Sequence, residues 1–143
     1  IIKSINSNKT LIIRKPKNIR PWQHVIEPLI GYLKLAEMQF KNKINNNPHW
    51  NFGPDIKNFV TVNEIVKLIK KNNKLKIKKS FNESFFETDI LKLNSSKAKK
   101  YLGWKSKWGL KKSLNSVTEW HHKFNKFRNA KKICETQIEE YLK

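Results

Sequence analysis

Two prolines seven residues apart constrain the fold most, because both fall within the stretch Ile19-Arg20-Pro21-Trp22-Gln23-His24-Val25-Ile26-Glu27-Pro28-Leu29. A proline disfavours the α conformation in the residue before it, so Arg20 is expected in extended backbone at a strand end. Pro28 belongs in the first turn of a helix, where its missing N–H does no harm. Strand must therefore give way to helix within these residues. Arg20 is one of three arginines among 31 basic residues. A guanidinium, unlike an ammonium, can grip two phosphate oxygens at once.

From about Ile26 to Phe40, apolar residues at 26, 29, 30, 33, 36 and 40 follow helical spacing. Gly31 costs that helix stability, which implies a close-packed neighbour. Upstream, Lys9–Arg14 contains Leu11-Ile12-Ile13 and reads as a strand, followed by a turn at Lys15–Asn18. Downstream, Asn42–His49 is a polar loop, and Trp50–Gly53 reads as a short buried strand ended by Gly53-Pro54-Asp55. Thr61 and Glu64 form a capping box ahead of Ile65, Leu68 and Ile69, which predicts a helix to about Asn72.

Leu75 and Ile77 alternate with lysines, as in a strand with one face in water. Ser80–Asp89 reads as loop, Ile90–Leu93 as a candidate strand, and Ser95 as the cap of a short helix ended by Gly103. A helix from about Leu110 to Arg128 would put Leu114, Val117, Trp120, His121 and Phe124 on one face. Glu135–Leu142 reads as another amphipathic helix, and there are no internal repeats. The order is that of an α/β chain. Only short strands are available, and two look like edges, so the sheet is expected to be incomplete.

The net charge of +20 would suit nucleic acid or an acidic surface. The basic residues are nearly all lysine and run the whole length of the chain, with abundant Asn and Ile, as AT-rich codons would produce. A solvated lysine surface is the plainer reading. The single cysteine, Cys134, cannot form an internal disulfide. No run approaches the roughly 20 apolar residues of a membrane span. A cytoplasmic protein is the expectation, and the start at Ile1-Ile2-Lys3 suggests a sequence that begins inside a longer gene product.

The stretch Arg20-Pro21-Trp22-Gln23-His24-Val25, with Glu27-Pro28-Leu29 and Gly31-Tyr32-Leu33 behind it, closely resembles the CDP-glucose 4,6-dehydratases. These are nucleotide-sugar enzymes of the extended short-chain dehydrogenase/reductase superfamily. The resemblance continues in order through Trp50-Asn51-Phe52-Gly53-Pro54, Glu87, Leu91-Lys92-Leu93-Asn94, Ser96-Lys97-Ala98, Leu102-Gly103-Trp104, Trp108 and Glu119-Trp120. It implies that residues 1–143 are the C-terminal portion of such an enzyme. That portion would be a substrate-binding lobe plus the last strand and helices of the Rossmann sheet, with the N-terminal NAD-binding part missing. The full enzyme would be a lyase that converts CDP-glucose to CDP-4-keto-6-deoxyglucose for deoxysugar and surface-polysaccharide synthesis, as a homodimer. In it a hydride passes from the sugar C4 to NAD, water leaves across C5 and C6, and the hydride returns at C6.

The resemblance implies that the family runs this reaction with a Gly-rich turn for the NAD pyrophosphate and a Tyr-x-x-x-Lys acid–base pair. Gly31, Gly53, Gly103 and Gly109 make no such turn. Tyr101 and Lys105 have the spacing, but Gly103 between them should end the helix that would hold both side chains on one face. No residue is therefore expected to be catalytic, and the chain alone is expected to be inactive.

What the resemblance leaves is substrate binding. It implies that Arg20 contacts the diphosphate, that Leu11 and Ile13 flank the base unless they are core, and that Glu87 lies near the nucleotide. Trp22, Gln23 and His24 would shape the pocket, or serve as packing. Asn94 stands where the family has an acid, a change expected to touch a helix cap. His121 and His122, about 100° apart on a helix, do not suit one metal ion. Trp104, Trp108 and Trp120 read as core rather than base-stacking residues. Two other classes stay open: a basic RNA- or DNA-binding module, and an inactive truncated product. Which base is read, among CDP-, dTDP- and GDP-sugars, is not legible.

Overall fold

The computed structural model describes residues 1–44, 49–80 and 88–143. They fall into two units, the first made of Ile1–Pro21 with Phe59–Lys92, the second of Trp22–Asn58 with Leu93–Lys143. The chain thus enters each unit twice.

The first unit holds a short helix α1 (Ile2–Asn6), strands β1 (Leu11–Ile13), β2 (Ile19–Pro21) and β3 (Phe59–Thr61), helix α3 (Val62–Lys70) and strand β4 (Ile77–Lys79). β1 pairs in parallel with β4, Leu11 opposite Ile77 and Ile13 opposite Lys79. β2 pairs antiparallel with β3, Arg20 opposite Val60 and Pro21 opposite Phe59. Among the described residues, two separate two-stranded ladders make up the incomplete sheet that the short apolar runs predict. Helix α3 starts where the capping box requires. Thr61 Oγ1 accepts the Glu64 N–H at 3.2 Å, and Glu64 Oε2 accepts the Thr61 N–H at 2.8 Å. These bonds to Thr61 also hold the Glu64 carboxyl below the usual range.

α3 buries Ile65, Val66 and Ile69. Val66 joins Ile13 and Leu75 in the core of this unit, with Leu11, Val62 and Ile77 packed around them. Leu75 and Ile77 turn inward while Lys76 and Lys78 face solvent, as the alternation requires. Ile90–Leu93 is not a strand. Only Ile90 bridges to Ile19, fixed by Ile19 N–H to Asp89 O at 2.8 Å and Leu91 N–H to Ile19 O at 3.1 Å.

The second unit is helical: α2 (Ile26–Phe40), a 3₁₀ turn at Ile56–Asn58, α4 (Ser96–Leu102), α5 (Leu110–Phe127) and α6 (Ala130–Leu142). Trp50–Gly53, expected as a buried strand, forms no strand ladder among the described residues. It is irregular backbone whose Phe52 is inserted between α2 and α4. The Phe52 ring meets Tyr32 and Trp104 edge-on, with centroids 5.4 and 5.2 Å apart. Ala98, Leu102 and Trp104 close this core.

Gly31 has the close neighbour its place in a helix implied, since a Cβ there would stand 2.3 Å from Phe52 Cδ1. Ser95 occupies the N-cap of α4 without capping it. Its hydroxyl instead accepts the Gly53 N–H at 2.6 Å, and Asn94 Oδ1 takes the Ser96 N–H at 2.9 Å. Gly103 ends α4 in left-handed backbone, φ 58°. α6 begins five residues before the expected Glu135, because Asn129 Oδ1 caps it by accepting the Lys132 N–H at 3.0 Å.

Candidate functional site

Arg20 lies in extended backbone in the middle of β2, as Pro21 dictates. Its Nη1 donates to the Ile19 carbonyl at 2.9 Å and reaches the Asp89 carbonyl at 3.4 Å. The Asn18 side chain, 3% exposed, sits beside it. With its amide in the orientation its neighbours satisfy, Asn18 Nδ2 donates to Asp89 Oδ1 at 3.2 Å and its Oδ1 accepts from Arg20 Nη2 at 3.1 Å. Peptide and amide oxygens such as these orient a guanidinium. A guanidinium oriented in this way has the fork geometry that suits paired phosphate oxygens.

The other expected ligand residues are placed unequally. Ile13 is 5% exposed in the core of the first unit, and Leu11 packs against that core half-buried. That is packing, and the Ile13 side chain has no surface left for a base. Glu87 lies outside the described residues.

In the second unit, Trp22 is half-buried and its N–H donates to Asn58 O at 3.2 Å. Gln23 Nε2 donates to Phe52 O at 2.6 Å, while its Oε1 is buried with no donor. Such an acceptor is expected to find a partner in a ligand or water. His24 is a core histidine. Its Nδ1 accepts the Ile26 N–H at 3.3 Å, and its ring lies 5.1 Å from that of Trp108. Burial, helped by the positive charge of Lys112 and opposed by Glu27, lowers its pKa below 6.5.

The residue that sequence reading passed over is Glu27, fully buried at 0% exposure. Its Oε1 accepts the Trp108 N–H at 2.6 Å and its Oε2 the Tyr141 hydroxyl at 2.6 Å, while the Lys107 N–H is shared between both oxygens at 3.1 Å. Its own carbonyl accepts the Trp104 indole N–H at 3.0 Å. Burial and this carboxylate raise the Tyr141 pKa far above 10.0. A lone acid beside the apolar positions Ile26 and Ile30 was the available signal. With every contact intramolecular, Glu27 ties helices together.

A cavity of about 380 Å³ in the same unit is walled by Val25, Leu29, Val117, Trp120, Cys134 and Ile138, among others. An almost wholly apolar wall does not suit a diphosphate. Among the described residues no cluster of three or more His, Cys, Asp or Glu could hold a metal ion. Among them also, no helix is long and apolar enough to cross a membrane.

A dinucleotide would need a glycine-rich turn feeding a helix. Gly31 lies mid-helix under Phe52, Gly53 lies against Leu93 and Ser95, Gly103 ends α4 and Gly109 precedes α5. Among the described residues, no two of these glycines share one turn at the start of a helix. Tyr101 and Lys105 are separated by the helix end at Gly103 and do not share a helical face.

No protein-family model matches the chain. The CDP-glucose 4,6-dehydratase of Salmonella typhimurium (strain LT2) is 34% identical over 150 residues, a match that covers 99% of this chain and 40% of that protein. Among solved structures, UDP-glucuronic acid 4-epimerase from Bacillus cereus in complex with NAD superposes with a TM-score of 0.68 at 17% identity, over 87% of this chain and 37% of that one. MoeE5 in complex with UDP-glucuronic acid and NAD gives 0.69 at 16% identity, over 85% and 40%. At such identities the two structures establish the fold. The dehydratase match adds common descent along nearly the whole sequence, over two fifths of the relative's length. The chain is therefore similar, along nearly its whole length, to part of a CDP-glucose 4,6-dehydratase, and it shares the fold of two nucleotide-sugar enzymes solved with NAD.

Proposed function

We propose that this chain is the C-terminal, sugar-nucleotide-binding portion of an NAD-dependent CDP-glucose 4,6-dehydratase. The observation that carries the proposal is the 34% identity to such an enzyme across 99% of the chain. In this reading the chain binds and orients substrate, while the dinucleotide site and the acid–base pair belong to polypeptide N-terminal to it. The full enzyme is then a cytoplasmic homodimeric lyase of deoxysugar synthesis.

Arg20 is the residue we assign to the substrate diphosphate. It stands on a short strand, and its bonds to the Ile19 and Asp89 carbonyls direct the guanidinium. A fork of N–H donors matches paired phosphate oxygens in charge and spacing. Glu87 and Leu11 are assigned to the nucleotide by family resemblance alone. Gln23 is assigned to a ligand hydroxyl, which would supply the donor its buried Oε1 lacks.

Calorimetric titration of the purified chain with CDP-glucose, CDP and UDP tests this reading. CDP-glucose should bind, Arg20→Ala should weaken it by about tenfold or more, and no dehydration should follow. Absence of any nucleotide binding would overturn the proposal. So would steeply salt-dependent binding to RNA or DNA in its place, which the net charge of +20 would then explain.

A further inference from the structure

We infer that Asn18 is a positioning residue for Arg20: its buried amide spans the Asp89 carboxylate and the Arg20 guanidinium and fixes the direction in which that cation points. The inference rests on the assignment of Arg20 to the diphosphate and adds, to the Ile19 and Asp89 carbonyls, a side chain that readies the guanidinium before ligand arrives.

An arginine on a three-residue strand has several rotatable bonds, and freezing them on binding would cost affinity. Asn18 removes much of that freedom. Its side chain offers a donor and an acceptor on adjacent atoms, the pair needed to bridge an anion and a cation. A leucine offers neither, and an aspartate would set a second carboxylate against Asp89.

The backbone of Asn18 is itself held, its N–H on Lys15 O at 3.2 Å and its carbonyl on the Val62 N–H at 3.0 Å. The bridge is therefore anchored to the turn before β2 and to the first residue of α3. The Asp89 end is anchored by the Ile19 N–H. At 3% exposure Asn18 is shielded from competing water, so its bonds to charged groups hold geometry better than surface bonds would.

A double-mutant cycle in the full 143-residue chain, with CDP and with cytidine as probes, tests the inference. Asn18→Leu should weaken CDP by about fivefold to tenfold and leave cytidine unchanged. In an Arg20→Ala background the same change should cost nothing further, because Asn18 acts only through Arg20. An equal loss in both backgrounds, or an equal loss for cytidine, would show a merely structural role and overturn the inference.

The ¹⁵N side-chain resonances of Arg20 give a readout that needs no ligand. Asn18→Leu should speed guanidinium rotation and N–H exchange in the free chain, and unchanged resonances would refute the inference whatever CDP does. If the free-chain resonances respond but the wild type binds no CDP, the diphosphate assignment fails and the positioning contact stands. Should Asn18→Leu not fold, the isosteric Asp89→Asn, which frees the amide to turn, is read in the same way.

Discussion

The Tyr141 hydroxyl donates to Glu27 Oε2 at 2.6 Å, joining the last turn of α6 to the first turn of α2 across 114 residues of sequence. Around that bond the Lys107 and Trp108 N–H groups converge on the same carboxylate. A fully buried carboxylate is tolerable when its oxygens are this well served.

Removing the carboxylate should therefore be far worse than removing the phenol. Glu27→Ala would leave two backbone donors and a hydroxyl buried without an acceptor, and we expect a loss of about 3–5 kcal/mol. Tyr141→Phe deletes one bond to a charged group and should cost about 1.5–3 kcal/mol. Urea unfolding of the two variants, followed by tryptophan fluorescence, checks both the order and the sizes.

Acid should weaken the fold through His24. Burial lowers its folded pKa below the unfolded 6.5, so between those values the unfolded chain binds a proton that the folded chain does not. Its stabilising effect is complete above pH 6.5 and is lost as the pH falls from there through the folded pKa. His121, lowered for the same reason, adds with the same sign. Denaturation midpoints between pH 7.5 and about pH 5 should fall with pH, and more shallowly in His24→Asn. A flat profile would refute the account.

Alkali should act through Tyr141. Its folded pKa is raised, so the unfolded chain loses its phenolic proton first and stability declines above pH 10.0, the ordinary tyrosine value. Absorbance titration should show one tyrosine that ionises late and together with unfolding, and Tyr141→Phe should remove that step.

Gly31→Ala should destabilise, although alanine is the better helix former by about 1 kcal/mol. The added Cβ would lie 2.3 Å from Phe52 Cδ1, and Phe52 is wedged against Tyr32 and Trp104. Overpacking of this kind costs about 1–3 kcal/mol. In a Phe52→Leu background the same substitution should become neutral or favourable. Equal losses in both backgrounds would mean the clash is not with that ring.

Arg20→Lys keeps the charge and loses the fork. Affinity for CDP should drop by about tenfold, while affinity for cytidine stays as it was. If lysine substitutes without loss, charge alone suffices and the fork geometry contributes nothing.

Much of the local structure was legible because it is decided within a few residues. Thr61 and Glu64 announce the start of α3, Gly103 announces the end of α4, and Pro21 settles the backbone of Arg20. The errors arose where a local rule met a tertiary competitor. Ser95 occupies a cap position, but Gly53 takes its hydroxyl and Asn94 supplies the cap instead. Trp50–Gly53 has the apolar look of a strand, but Phe52 packs between two helices, and the Phe52 carbonyl and Gly53 N–H bond to the side chains of Gln23 and Ser95.

The candidate site divides along the same line. Sequence alone determined that the chain carries an extended Arg20 before a helix, that its strands are too short for a full sheet, and that no glycine-rich turn is present. Each of these follows from backbone preferences that act over one to four residues. Only the tertiary structure decided that Asn18 and Asp89 flank Arg20, that Ile13 belongs to a core, and that Glu27 is a buried node rather than a surface acid. Those outcomes depend on which groups meet across roughly 50 to 114 residues of chain, and a side chain's partners at such separations are set by how the elements pack.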